Sequence, residues 1–180
     1  FIFGEDSYRS KQKLNEIILG YKKVHKSGLN LIYIDAGESD FKDFLSCFKI
    51  TSMFAEKKLV ILKNVSGNIK FQEEFLENVK NLEEIKDIVV IYEDCPADKR
   101  TKFFKALQEY AKCQEFNYLQ SANLRKWILR EFEKNPSASS GQGTTKINPD
   151  AADLLLSFVG NDLWQMANEI NKLSNYIAPL

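Results

Sequence analysis

Gly4-Glu5-Asp6-Ser7-Tyr8-Arg9-Ser10-Lys11 is the first stretch with the makings of chemistry. A short apolar run, a glycine and a helix start, in that order, invite a phosphate-binding loop. In such a loop backbone N–H groups cradle phosphates, while a Lys and a Ser or Thr reach the terminal phosphate and magnesium. The loop needs G-x-x-x-x-G-K-[ST], and here Arg9, Ser10 and Lys11 stand where Gly, Lys and Ser/Thr belong. Glu5 and Asp6 would also turn their charges toward an anion. The loop fails on chemistry as well as on spelling. A nucleotidase further wants an acidic pair at the end of a core strand to hold magnesium. The run Leu59-Val60-Ile61-Leu62 ends in Lys63-Asn64 instead.

Other reactive residue types are thinly placed. Glu93-Asp94 could chelate a metal, but two exposed acids beside Pro96 are more simply a solvated turn. His25 is the only histidine and lies among Lys22, Lys23 and Lys26. It cannot build a multi-His site, and His-dependent nucleophilic catalysis would have to use this one residue. Cys47, Cys95 and Cys113 lack CxxC spacing, and an odd number argues for reduced thiols rather than zinc or a disulfide framework. The sequence therefore leads us to expect no catalytic residue, no cofactor and no metal. Asp98-Lys99-Arg100-Thr101-Lys102 is cationic at a predicted helix N-terminus. Cations there oppose the helix dipole, yet the same terminus offers N–H donors to a phosphate. Lys99, Arg100 and Lys102 are candidates for a DNA-backbone contact, with a solvated face as the simpler reading.

The most informative stretch is Ile50-Thr51-Ser52-Met53-Phe54-Ala55-Glu56-Lys57-Lys58. It joins an amphipathic helix to an apolar strand and sets Met53 and Phe54 side by side where a connection should be polar. Burying both in a partner would contribute roughly 1.5–3 kcal/mol each. Micromolar affinity needs about 8 kcal/mol, so the pair could anchor a contact without supplying all of it. On spacing alone, closing the core beside the next strand is the simpler account.

These residues must be positioned by a regular alternation of elements. Phe1–Phe3, Leu29–Ala36, Leu59–Leu62, Ile88–Tyr92 and Gln114–Leu119 read as strands. Between them lie helical patterns carrying Leu14, Ile17, Ile18 and Tyr21; Phe41, Phe44, Leu45 and Phe48; Phe71, Phe75, Leu76, Val79 and Leu82; and, from about Asp98 to Ala111, Phe103, Phe104, Leu107 and Tyr110. Strands alternating with long helices predict right-handed βαβ units and a three-layer α/β sandwich with a parallel sheet. From Asn123 the period changes. Three helices are expected, the last with Leu163, Ala167, Ile170 and Leu173 inward, and a Ser/Gly/Thr-rich loop from Pro136 to Thr145 interrupts them. This predicts a small helical domain beyond a boundary near Ser121.

Composition agrees with a globular, two-domain chain of 180 residues, 28% charged and 44% hydrophobic. Lys plus Arg equals Asp plus Glu at 25 each, so no global basic field draws it to nucleic acid or membrane. No apolar run approaches the roughly 20 residues of a membrane helix. The sequence shows no signal peptide, and its start at Phe1 points to a trimmed natural start; the cytoplasm is the default compartment.

The order of these features resembles the delta subunit of bacterial DNA polymerase III, a clamp-loader subunit. The resemblance runs through Phe3-Gly4-Glu5-Asp6-Ser7-Tyr8, Ser52-Met53-Phe54-Ala55-Glu56-Lys57-Lys58-Leu59-Val60 and Cys95-Pro96-Ala97-Asp98-Lys99-Arg100. It ends in Gly160-Asn161-Asp162-Leu163-Trp164 with Glu169-Ile170-Asn171-Lys172-Leu173. It implies an AAA+/RecA-like α/β domain over residues 1–121, a helical lid over 122–180, and a C-terminal collar domain absent from this chain. It also implies a non-catalytic subunit that binds and opens the sliding clamp (beta subunit) in DNA replication. The further partners implied are tau/gamma, delta prime and, through the assembled complex, primer-template DNA, with no membrane. Met53 and Phe54, with Thr51 and Ser52 beside them, fall at the family's clamp-binding pair, which reverses the preference for a core role. Trp164 falls near where active relatives carry a nucleotide-sensing arginine. Two alternatives stay open: an active AAA+ ATPase with an atypical phosphate loop, and an unrelated α/β interaction domain.

Overall fold

The computed structural model describes residues 1–25, 28–49, 56–134 and 147–177. The chain divides into two compact units, Phe1–Asn117 and Tyr118–Leu180.

The first unit is built on five parallel strands: β1 (Ile2–Phe3), β2 (Leu31–Asp35), β3 (Leu59–Lys63), β4 (Ile88–Tyr92) and β5 (Gln114–Glu115). Their order across the sheet is β2-β3-β4-β1-β5. Leu59 stands opposite both Leu31 and Ile88, so β3 is paired on both sides. Its side chains alternate between faces, as the strand period requires. Leu59 and Ile61 meet Leu14, Ile18 and Tyr21 of helix α1 (Ser7–Val24) on one face. Val60 and Leu62 turn to the other face. There helices α2 (Phe41–Lys49), α3 (Ile69–Glu83) and α4 (Lys102–Tyr110) bring Phe41, Phe44, Phe71, Phe75, Phe103 and Phe104 together. The three-layer α/β sandwich expected from the alternation is present. Burial on both faces explains why β3 is a continuous apolar run: Leu59 through Leu62 are all at 0% exposure.

Strand ends shift by one or two residues from the sequence reading in β1, β2 and β3, and two boundaries shift by more. Strand β5 stops at Glu115 rather than Leu119, because its partner β1 is only Ile2–Phe3 long and the chain leaves the sheet at Gly4. Helix α4 begins at Lys102, not near Asp98, because Thr101 is its N-cap, its hydroxyl accepting from the N–H of Phe104 at 3.1 Å.

The second unit contains α5 (Ser121–Lys134), α6 (Pro149–Val159) and α7 (Leu163–Ile177). Leu124, Ile128, Phe132, Ala152, Leu163, Met166 and Ile170 are its buried apolar residues. Asn148 caps α6 with Pro149 at the first position, and Gly160, at φ 71°, ends it. On α7 the inward stripe is Leu163, Met166, Ile170 and Ser174, while the expected Leu173 is 38% exposed. Asp162 Oδ1 accepts from the N–H groups of Trp164 and Gln165 at the start of the helix, and packing against α5 and α6 buries Met166 and Ser174, one residue away from the expected Ala167 and Leu173. Among the described residues no helix is long and apolar enough to cross a membrane.

Candidate functional site

In an open parallel sheet, ligands bind at the carboxyl ends of the strands where the strand order reverses. Here that place lies between β1 and β4, since the chain leaving β1 enters α1 on one face and the chain leaving β4 enters α4 on the other. The two loops are tied together by backbone bonds, Gly4 N–H to the Cys95 carbonyl at 3.2 Å and Glu93 N–H to the Ile2 carbonyl at 2.9 Å. Gly4 has φ 139°, and a Cβ on it would lie 2.2 Å from the Phe116 carbonyl oxygen. No other residue fits there.

The start of α1, where a phosphate would sit, already holds an anion from the chain itself. Asp6, 2% exposed, caps the helix by accepting from Arg9 N–H at 3.0 Å and pairs with Arg9 Nε at 2.6 Å. Asp6 N–H donates to the Phe116 carbonyl at 2.9 Å, and the Arg9 guanidinium donates to the Asn117 carbonyl. That guanidinium also lies 5.7 Å from the centre of the Phe116 ring. The other cation of the abortive loop is diverted too, with Lys11 Nζ 5.7 Å from the centre of the Tyr92 ring. A phosphate charge 4 Å from the Asp6 carboxylate would be opposed by about 4 kcal/mol at a protein-surface dielectric.

Carboxylates near the strand ends are likewise engaged. Asp35 accepts from Gly37 N–H at 2.9 Å and from Asn64 Nδ2 at 2.7 Å. Glu93 corrects the expectation of a solvated acidic pair: it is 2% exposed, while Asp94 is exposed. Its Oε1 accepts from Ser66 N–H at 3.0 Å, and burial pushes its carboxyl above the ordinary carboxylate range. The side chain turned inward because the short 3-10 turn at Val65–Gly67 offers free N–H groups after β3. That signal is not readable as spacing in the sequence. Among the described residues no group of three or more His, Cys, Asp or Glu is placed to hold a metal ion.

The cationic stretch is also largely committed. Arg100 makes a two-point pair with Asp98, Nε to Oδ1 at 3.0 Å and a terminal nitrogen to Oδ2 at 2.9 Å. These bonds hold the Asp98 carboxyl at about 2. Lys99 Nζ bonds Glu115 Oε2 at 2.7 Å. Lys99 and Arg100 precede the helix rather than forming its first turn, whereas Lys102 is its first residue, and it is exposed.

Thr51, Ser52, Met53 and Phe54 lie outside the described residues, but both flanks of that segment are described. Before it, α2 ends at Lys49 with Phe44 fully buried and Phe48 against it, ring centres 5.1 Å apart. After it, Glu56 Oε2 accepts from Asn30 Nδ2 at 3.0 Å, and the Lys57 carbonyl accepts from the Tyr21 hydroxyl at 2.6 Å. Lys58 N–H donates to Asp87 Oδ1 at 2.8 Å, and its ammonium donates to the Cys47 carbonyl in the last turn of α2. Elsewhere in this unit a cavity of about 230 Å³ lies against β4, walled chiefly by Phe75, Val79, Leu82, Val89, Ile91 and Leu107. Trp164 is half exposed in the first turn of α7.

With this geometry in hand, comparison with known proteins gives a family. The sequence pattern of the DNA polymerase III delta subunit matches residues 1–117, the extent of the first compact unit. The chain belongs to the DNA polymerase III delta subunit family. Among solved structures, the DNA clamp loader delta protein of Bacillus subtilis has the same fold, with a TM-score of 0.62. It is 20% identical, and the match covers 97% of this chain and 52% of that one. The chain thus spans about half the length of that delta protein. No curated protein matches closely enough in sequence to add a second relative.

Proposed function

We propose that this chain is the clamp-engaging part of a clamp-loader delta subunit acting in DNA replication without hydrolysing ATP itself. One observation carries the reading. Within a region that matches the delta family, the corner that could take a phosphate is filled by Asp6 and Arg9. Met53 and Phe54, with Thr51 and Ser52, are the pair that docks in a pocket of the sliding clamp. The rigid α/β unit then favours a clamp conformation whose nearby interface is open, which requires tighter binding to the open ring than to the closed one. Energy from ATP enters through neighbouring loader subunits of the tau/gamma and delta prime kinds. Primer-template DNA is reached through the assembled complex. Lys102, exposed on the first turn of α4, is the readiest of the three candidate cations for a phosphate contact, since Lys99 and Arg100 must first leave Glu115 and Asp98.

Titration of the chain against purified sliding clamp, beside a Met53→Ala/Phe54→Ala protein, tests this reading. Saturable binding by the first and its loss in the second is the expected result. Equal binding by both would sink the docking assignment. A parallel titration with ATP and magnesium addresses the active-ATPase alternative, and no binding or turnover is expected.

A further inference from the structure

Three buried polar side chains converge on the two flanks of residues 50–55: Tyr21, whose ring is part of the core on the α1 face, Asn30, and Lys58, which stands in the stretch Ser52–Val60 that carries the family resemblance. Tyr21, Asn30 and Lys58 are 6%, 8% and 5% exposed. Tyr21 reaches from α1, and its single hydroxyl proton goes to the Lys57 carbonyl at 2.6 Å, with the Asn30 carbonyl farther off at 3.3 Å. Asn30, just before β2, holds the carboxylate of Glu56. Lys58 places its ammonium on a carbonyl of the last turn of α2, where backbone acceptors lack helical partners and a cation is favoured. That last bond links the two flanks directly, since Cys47 precedes the segment and Lys58 follows it.

Burying such groups is unfavourable unless each is bonded, and apolar residues of similar size would pack as well. Their common feature is what they hold: the end of α2, the Glu56 carboxylate and the Lys57 carbonyl. We propose that Tyr21, Asn30 and Lys58 are positioning residues for clamp docking. They fix where the segment bearing Met53 and Phe54 leaves and rejoins the fold, and they touch no clamp themselves. The inference rests on the docking role given above to Met53 and Phe54. Fixing both ends in advance removes part of the ordering that binding would otherwise impose.

The test compares wild type, Tyr21→Phe, Lys58→Met, Lys58→Arg and Phe54→Ala chains in titrations against purified sliding clamp. Each is run well below the measured unfolding midpoint of that variant, and a free peptide of residues 50–58 serves as reference. Tyr21→Phe and Lys58→Met are expected to weaken binding about five- to tenfold, moving it toward the peptide's value. Lys58→Arg, which keeps the cation, is expected to regain most of the loss. Support of the fold alone would lower the unfolding midpoint and leave the affinity of the folded protein unchanged. Unchanged affinity in Tyr21→Phe and Lys58→Met, with binding lost in Phe54→Ala, overturns this inference and leaves the docking role standing. Undiminished binding by Phe54→Ala removes the docking role and this inference together. Should Lys58→Met fail to fold, Tyr21→Phe decides, because it deletes one hydroxyl and nothing else.

Discussion

The turn from β1 into α1 and the chain from α2 into β3 are built from the same materials and end up opposite. In the first, the polar groups satisfy one another: Asp6 caps the helix and pairs with Arg9, Arg9 reaches Asn117, and Gly4 packs on the Phe116 backbone. In the second, Tyr21, Asn30 and Lys58 hold the two flanks, and Met53 and Phe54 lie between those flanks in the sequence. In the first connection the chain supplies its own anion where a phosphate would sit. On the proposed reading, the second is a docking segment fastened at its two flanks.

The largest effect that would break this contrast is on the second connection. Replacing Met53 and Phe54 together with alanine removes two contributions of about 1.5–3 kcal/mol each, so clamp affinity should fall at least about a hundredfold in calorimetric titration. A loss under threefold would place the pair elsewhere. Next is Gly4→Ala, which combines a φ of 139° with a Cβ at 2.2 Å from a backbone oxygen. It should cost about 3 kcal/mol or more of stability in urea unfolding; a neutral result would mean the corner is loosely packed. Asp6→Ala removes the cap and strands Arg9, for about 1–2 kcal/mol by the same measurement. It should still not create ATP binding, because the loop lacks its lysine and glycine.

Two smaller effects sharpen the electrostatics. Glu93 has a raised carboxyl because it is buried. The folded state therefore holds its proton more tightly than the unfolded one, and stability should decline as pH rises from the ordinary value of 4.5 through the raised one. Glu93→Gln should flatten that part of the stability–pH curve. Asp98 is the reverse case and the smallest. Its carboxyl at about 2 lies below the ordinary 3.8, so its contribution is present above 3.8 and is lost as pH falls through about 2. Arg100→Ala should return the Asp98 titration, followed by NMR, toward 3.8.

Much of the first unit was legible because its signals are periodic. Leu59–Leu62 and Ile88–Tyr92 read as strands buried on both faces, which holds throughout the first but only from Val90 on in the second, where Ile88 is exposed; Phe41 and Phe44, or Phe71 and Phe75, recur at helical spacing. What was not legible depended on particular contacts rather than on spacing. Glu93 turns inward because of amides after β3, distant in the sequence, whereas at the start of α4 Asp98 turns back onto Arg100 and Thr101 takes the cap. In α7 the spacing of Leu163, Ala167, Ile170 and Leu173 is as helical as that of the stripe with Met166. Only packing against α5 and α6 separates them. Between α2 and β3, Met53 and Phe54 stand out in the sequence as apolar residues in a connection. Tyr21, Asn30 and Lys58 do not, since a tyrosine in an apolar stripe and a lysine before a strand are ordinary residues until their bonds are seen.

Hydrogen exchange of the chain with and without saturating sliding clamp tests the account most directly, because it reports on both connections at once. Slowed exchange centred on residues 50–58 and unchanged exchange across residues 4–10 are the expected result. Slowing centred on residues 4–10 or 99–105, with 50–58 unaltered, would contradict it.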